Sequence, residues 1–205
     1  MTRIFILSVI FGFFLGYAVR GHAAEARTST YTLDAAAAYG PASLSESDAP
    51  DVATKGNFRE VLAVFTRSSP RWTFGAGIGV FAADLTGTGT AAPSSTGFAL
   101  RSYTRSVAGE VARLDARYRL TDHFSAGLFT DLLFGGDVAF SSDVFDGGAA
   151  TTWLGGTELL YGFGTGRDFL GMRVNVGART FASFGLNGRR LDAIQGVFEA
   201  SLRVF

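Results

Sequence analysis

From residue 31 to the C-terminus, apolar side chains alternate with polar or small ones every second position, again and again. Successive side chains of a β-strand point to opposite faces, so each such stretch reads as one strand with an apolar and a polar face. Tyr31, Leu33, Ala35, Ala37 and Tyr39 form the first apolar row, with Asp34 on the other parity. Trp72 to Ala82 sets Phe74, Ile78 and Val80 against Gly75, Gly77 and Gly79. Ala112 to Leu120 opposes Leu114, Ala116 and Tyr118 to Arg113, Asp115, Arg117 and Arg119, and that charged row cannot lie on a buried apolar face. Further rows run from Phe124 to Phe134, Trp153 to Phe163, Leu170 to Ala178 and Ile194 to Val204. Residues 57–66 are also strand-like, but the adjacent Arg59 and Glu60 leave their parity open.

These eight strands are joined by connections of alternating length. Residues 68–71, 121–123 and 165–168 are tight turns rich in Ser, Pro, Thr, Asp and Gly, whereas 40–56, 85–97, 135–149 and 183–192 are long polar segments. Short turns on one side and long loops on the other are the pattern of a transmembrane barrel, and an even strand number puts both ends of the chain on one side. The expected fold class is all-β, an eight-stranded antiparallel up-and-down transmembrane β-barrel.

Alternation alone does not say which row faces out, since a soluble sandwich or barrel alternates too. The polar rows decide it. They contain five cations (Arg113, Arg117, Arg173, Arg179, Arg203) and five anions (Asp34, Asp115, Asp131, Glu158, Glu199) at mid-strand positions. A balanced set of charges interleaved with glycine suits a narrow enclosed lumen, where guanidiniums and carboxylates must pair. The apolar rows end in aromatics: Trp72, Tyr118, Phe124, Phe163 and Phe169 near short turns, and Tyr39, Phe134 and Trp153 near long loops. Two aromatic rings around an aliphatic band are an interface girdle. Glu110 shares the apolar parity, but ten residues above Leu120 it is expected at the outer rim.

Composition removes several function classes. Lys plus Arg and Asp plus Glu are both 18, so no basic excess supports nucleic-acid binding. With no cysteine there is no disulfide, thiolate metal site or lipidated Cys. Arg3, the charge-free apolar stretch from Ile4 to Val19 and the small residues around Ala23, Ala24 and Ala26 read as a secretory signal over residues 1–26, leaving 27–205 as the barrel domain. After this signal no run of eighteen apolar residues exists to form a membrane helix. One histidine, His123, falls in that domain, in a turn, where it is a poor general base, and no enzyme activity is expected. No cofactor is expected, and Asp137, Asp143 and Asp146 read as a solvated loop in preference to a weak Ca²⁺ site.

The signal segment, the strand-turn-strand from Ala116 through Thr121-Asp122-His123 to Gly127, and the terminal Phe205 together resemble the small eight-stranded outer-membrane barrels, a group that includes OmpA's transmembrane domain, OmpX, OmpW and the opacity-type surface antigens. The resemblance implies residence in the outer membrane of a Gram-negative bacterium among lipid and lipopolysaccharide, as a monomer. It also implies recognition of the C-terminal strand by the barrel-assembly machinery, although Phe205 falls out of parity with Phe198, Ala200, Leu202 and Val204, and Arg203 stands where an aromatic is usual. The function expected is structural or surface-interactive, with the lumen plugged by the charge network. The rivals are a narrow channel or small hydrophobic-solute conduit of the OmpW kind, and a lipid-A-modifying barrel enzyme. If charge pairing alone closes the lumen, Arg113→Ala or Arg173→Ala raises planar-bilayer conductance.

Overall fold

The computed structural model describes residues 29–46, 53–90, 100–134, 139–140, 152–163, 172–184 and 189–204. They form β1 (Thr30–Glu46), β2 (Ala53–Ser68), β3 (Trp72–Thr90), β4 (Leu100–Arg119), β5 (Phe124–Phe134), β6 (Ala139–Phe140), β7 (Thr152–Phe163), β8 (Met172–Phe184) and β9 (Arg189–Arg203). The order β3-β2-β1-β9-β8-β7-β5-β4 is antiparallel throughout and closes by a β3–β4 pairing. β6 is a two-residue strand alongside β4 at Arg105 and Ser106, so the ring itself has eight strands. The signal segment, Phe169, the three loop aspartates and Phe205 lie outside the described residues.

Three of the segments read as long loops are in good part strand. β1 and β2 continue to residues 46 and 53, β3 and β4 to 90 and 100, and β8 and β9 to 184 and 189. The run Leu85-Thr86-Gly87-Thr88-Gly89-Thr90 explains the difference. Its Thr and Gly resemble turn composition, yet they alternate, and the ladder runs through them as far as Thr90↔Leu100. Pro41 leaves a mark inside β1: lacking an N–H, it coincides with a break in the β1–β9 ladder, which passes from Tyr39↔Gly196 to Ala42↔Ala193.

Side chains sort onto two faces as the alternation requires. Outward point the apolar rows, with Leu128 65% and Ile194 64% exposed. The belt continues on β1, β2, β3, β7 and β9 through Leu33, Val61, Ile78, Leu159 and Phe198. At the short-turn end it closes in aromatic contacts, Trp72 with Tyr118 (5.0 Å) and Tyr161 with both Phe124 and Phe163 (4.9 Å each). At the other end exposed Arg59 pairs with Asp84 at 3.2 Å. Glu110 is exposed on the same outer face, opposite Phe134, the last residue of β5. The ten residue-to-residue steps from Trp72 to Ala82, at about 3.3 Å each and a tilt of about 40°, give the belt a height of roughly 25 Å.

The parity of β2 is settled by its ladders: Phe58, Glu60, Leu62, Val64 and Thr66 point inward and Arg59 and Val61 outward. Inside, the half toward the long connections is apolar, with Phe58 stacked on Phe81 (5.7 Å) and edge-on to Phe181 (5.1 Å), among Val111, Leu133 and Leu154.

Closure depends on β1, which pairs with β2 on one side and with β9 on the other. Ala36 stands opposite both Leu62 and Glu199 in mid-strand. Ala36→Pro is therefore expected to cost on the order of 3 kcal/mol, whereas Ala36→Ser costs far less. Denaturant titration of the β signal in circular dichroism measures both.

Candidate functional site

The interior charges come from inward positions of seven strands: β4 supplies Arg113, Asp115 and Arg117, and β1, β2, β5, β7, β8 and β9 supply Asp34, Glu60, Asp131, Glu158, Arg179 and Glu199 in turn. β3 answers β4 with glycine, in the register Gly77↔Arg113 and Gly75↔Asp115. A Cβ on Gly75 would stand 2.9 Å from the Asp115 carboxyl carbon, so this strip must lack side chains for the charges to fold inward.

Two clusters result. In the first, Arg113 grips Asp131 with two bonds, Nε to Oδ1 at 2.7 Å and Nη2 to Oδ2 at 2.6 Å, and meets Glu60 at 2.8 Å. Arg179 pairs with the same Glu60 and donates from Nε to the Gln195 amide oxygen at 2.7 Å. The Gln195 amide nitrogen donates in turn to the Phe58 carbonyl at 3.0 Å, which ties the charged layer to the aromatic one. The Phe129 ring lies under Arg113 at 4.5 Å and Arg179 at 5.3 Å, so the apolar filling also faces the cations. In the second cluster Arg117 donates from Nε to Glu158 (2.5 Å) and from Nη1 to Glu199 (2.9 Å), with Asp115 at 3.4 Å. Asn175 donates to the same Glu199 oxygen at 2.7 Å, and Asp34 accepts from the Thr32 hydroxyl at 2.7 Å.

Eight of the ten residues read from the sequence as a lumen network are buried: Asp34, Arg113, Asp115, Arg117, Asp131, Glu158, Arg179 and Glu199. Arg173 is half-buried and Arg203 exposed, because both lie in the last turn of the ladder toward the short-turn end, where the barrel opens. Glu60 was missed, since its strand had no readable parity, and uncharged Gln195 and Asn175 gave no charge signal. The balance also changes. Among the described residues three arginines and six carboxyl groups are buried; Arg113 serves two of the acids and Arg117 three, while Arg179 shares Glu60 with Arg113.

Beyond the second cluster a cavity of about 230 Å³ opens toward the short turns, lined by polar groups except for Phe124, with Asp34, Arg117 and Glu199 at its floor. His123 stands outside this cavity, its ring against Tyr161 (5.7 Å) and Nδ1 3.3 Å from the Gly162 carbonyl oxygen. The outward belt, the charged interior and the ring closure together are the architecture of the small eight-stranded antiparallel barrels.

No family model and no curated protein sequence matches this chain. Among solved structures, the deltaS2 mutant of the TodX monoaromatic hydrocarbon channel is similar over 86% of this chain and 91% of that one, at 8% identity and a TM-score of 0.24. At that TM-score the likeness carries no argument, and the functional reading rests on geometry.

Removing one partner of a buried ion pair leaves a charge without compensation. Arg113→Ala leaves Asp131 without its cation and Glu60 with Arg179 alone, and is expected to destabilise the barrel by about 3–5 kcal/mol. Asp192→Asn, which breaks the exposed Arg190–Asp192 pair (2.9 Å), is expected to cost at most about 1 kcal/mol. Guanidinium chloride titrations of the two variants in one detergent check the contrast.

Proposed function

We propose that this chain is a monomeric outer-membrane barrel with a structural and surface-interaction role, closed to the diffusion of solutes. The observation that carries the reading is its inverted polarity: apolar side chains cover the outside of the ring while nine ionisable ones are buried within. A soluble barrel would hide the apolar rows, because a continuous exposed belt of this size draws a protein into aggregates or into lipid. No helix among the described residues is long and apolar enough to cross a membrane. The belt height of roughly 25 Å matches a hydrocarbon layer, and the aromatic contacts fall at one interface.

The closed state follows from the filling. Eight strands leave an interior just wide enough for side chains. Here it is occupied by two ion-pair clusters and an aromatic layer that Gln195 bonds together. In the membrane the short turns face the periplasm, the side from which a secreted chain is assembled, with β9 presented to the assembly machinery. The long-connection end faces outward among lipopolysaccharide. The absence of enzyme activity in this reading is supported by His123, whose ring nitrogen meets a backbone carbonyl and whose face meets Tyr161.

The mature chain, refolded from urea into detergent, is expected to migrate differently on a gel before and after boiling and to give a β-type spectrum. Folding in plain buffer without detergent would reverse every strand's orientation and sink the proposal. Leu128→Arg, at the most exposed part of the belt, is expected to lower stability in lipid vesicles by about 2–4 kcal/mol, against about 1 or less for Thr86→Arg above the belt.

In planar bilayers the wild-type chain is expected to show no conductance steps. Arg113→Ala alone is expected to leave that baseline unchanged, contrary to what charge pairing alone implies, since Phe58, Phe81 and Phe181 still fill the lumen. Steps in the wild-type trace favour the narrow channel.

A further inference from the structure

A closed barrel leaves the cavity at the short-turn end without a role. Its two acids are already engaged, Glu199 by Arg117 and Asn175 and Asp34 by Thr32. Arg117 is likewise neutralised, by Asp115, Glu158 and Glu199. Toward the opening the balance changes sign. Arg173 on β8 and Arg119 on β4 both line the cavity, and neither has a carboxylate partner among the described residues.

Arg173 is held in place by its neighbour. It lies beside Gly162 of β7, where a Cβ would come within 2.9 Å of its Nε and closer still to a terminal nitrogen. Gly162 is itself buried, so the guanidinium is laid along the inner wall, half out of water. A partly desolvated guanidinium with five donors and no acceptor costs free energy that an oxyanion recovers. Serines stand opposite both arginines in the ladders and line the same cavity: Ser201, opposite Arg173, is engaged with Asp34, and Ser125, opposite Arg119, offers a hydroxyl donor.

We infer that this cavity binds an oxyanion, a phosphate or a carboxylate, held by Arg173 and Arg119 with Ser125 as a further donor. The floor acids Asp34 and Glu199 repel such a group, which keeps it near the opening, away from the ion-pair cluster. A volume of about 230 Å³ takes inorganic phosphate or the charged end of a larger molecule. The site rests on the barrel fold alone; the closed-barrel reading adds only the compartment that the opening faces.

The test is a titration of the refolded barrel in zwitterionic detergent, followed through the Nε–H resonances of ¹⁵N-labelled arginines. Inorganic phosphate and acetate are added in separate series, at constant ionic strength made up with chloride. The Arg173 resonance is expected to shift and saturate, while Arg71, an exposed turn residue at the same end but outside the cavity, drifts without saturating. Arg173→Gln is expected to weaken the binding seen at Arg119 by about tenfold. Saturation by phosphate alone assigns a phosphate ester as the source, and saturation by acetate a carboxylate. An Arg173 response no larger than that of Arg71, or an Arg119 titration unchanged in Arg173→Gln, overturns the site. Boiled and unboiled migration of the same sample is recorded first, so that a failed barrel and a failed site are read separately.

Discussion

The structure depends on what an eight-stranded ring forces on its interior. The enclosed space is too narrow for bulk water and too wide to be left empty, so side chains must fill it. Here much of the filling is ionisable, and an ionised group out of water is tolerated only when its bonds are satisfied. Arg113 and Arg117 approach that demand by serving several acceptors each, Glu60 and Asp131 for the first and Asp115, Glu158 and Glu199 for the second, whereas Arg179 meets Glu60 and Gln195 and keeps its Nη1 without a hydrogen bond. Forked guanidiniums suit the task because their donors point in fixed, separate directions.

The rest of the ring follows from that arrangement. Long arginines need space, and β3 supplies it by offering glycine at the inward positions facing β4. The apolar filling begins where the charges stop. Phe129 bridges the two regimes with its ring under two guanidiniums, and Gln195 does so with one bond to Arg179 and another to the Phe58 carbonyl. The lumen is thus a stack of layers: aromatic and aliphatic toward the long connections, ionic in the middle, and an open cationic cavity at the short turns. In the proposed closed barrel this order means that removing one arginine breaks a layer without opening a passage.

Much of this was legible in the sequence where a strict alternation met an unambiguous residue type. β4 is the clearest case: a row of charges on one parity and a row of apolar residues on the other leave no choice of face. β2 is the opposite case. Arg59 and Glu60 are neighbours with opposite charge, both parities carry large apolar residues, and only pairing with β1 and β3 puts Glu60 inside and Arg59 outside. The strand ends were misread for a related reason. Thr and Gly serve a turn as well as a ladder, and the partner strand determines which they do. Arg173 and Arg203 share the parity of the network but lie too near the mouth to be enclosed, a matter of height along the barrel axis that alternation does not encode.

By itself the sequence determined the local alternation, and with it the all-β class, the strand number and which residues share a face, because side-chain direction along a strand is a property of the backbone. Tertiary structure decided which charge meets which. Arg117 and Glu199 are far apart in the chain and come together only when β4 and β9 are bent toward one lumen. It also decided that, among the described residues, six buried carboxyl groups face three guanidiniums, and that Arg119 and Arg173 line one cavity at the short-turn end. These features depend on ring closure and stagger, which emerge from all eight strands pairing at once.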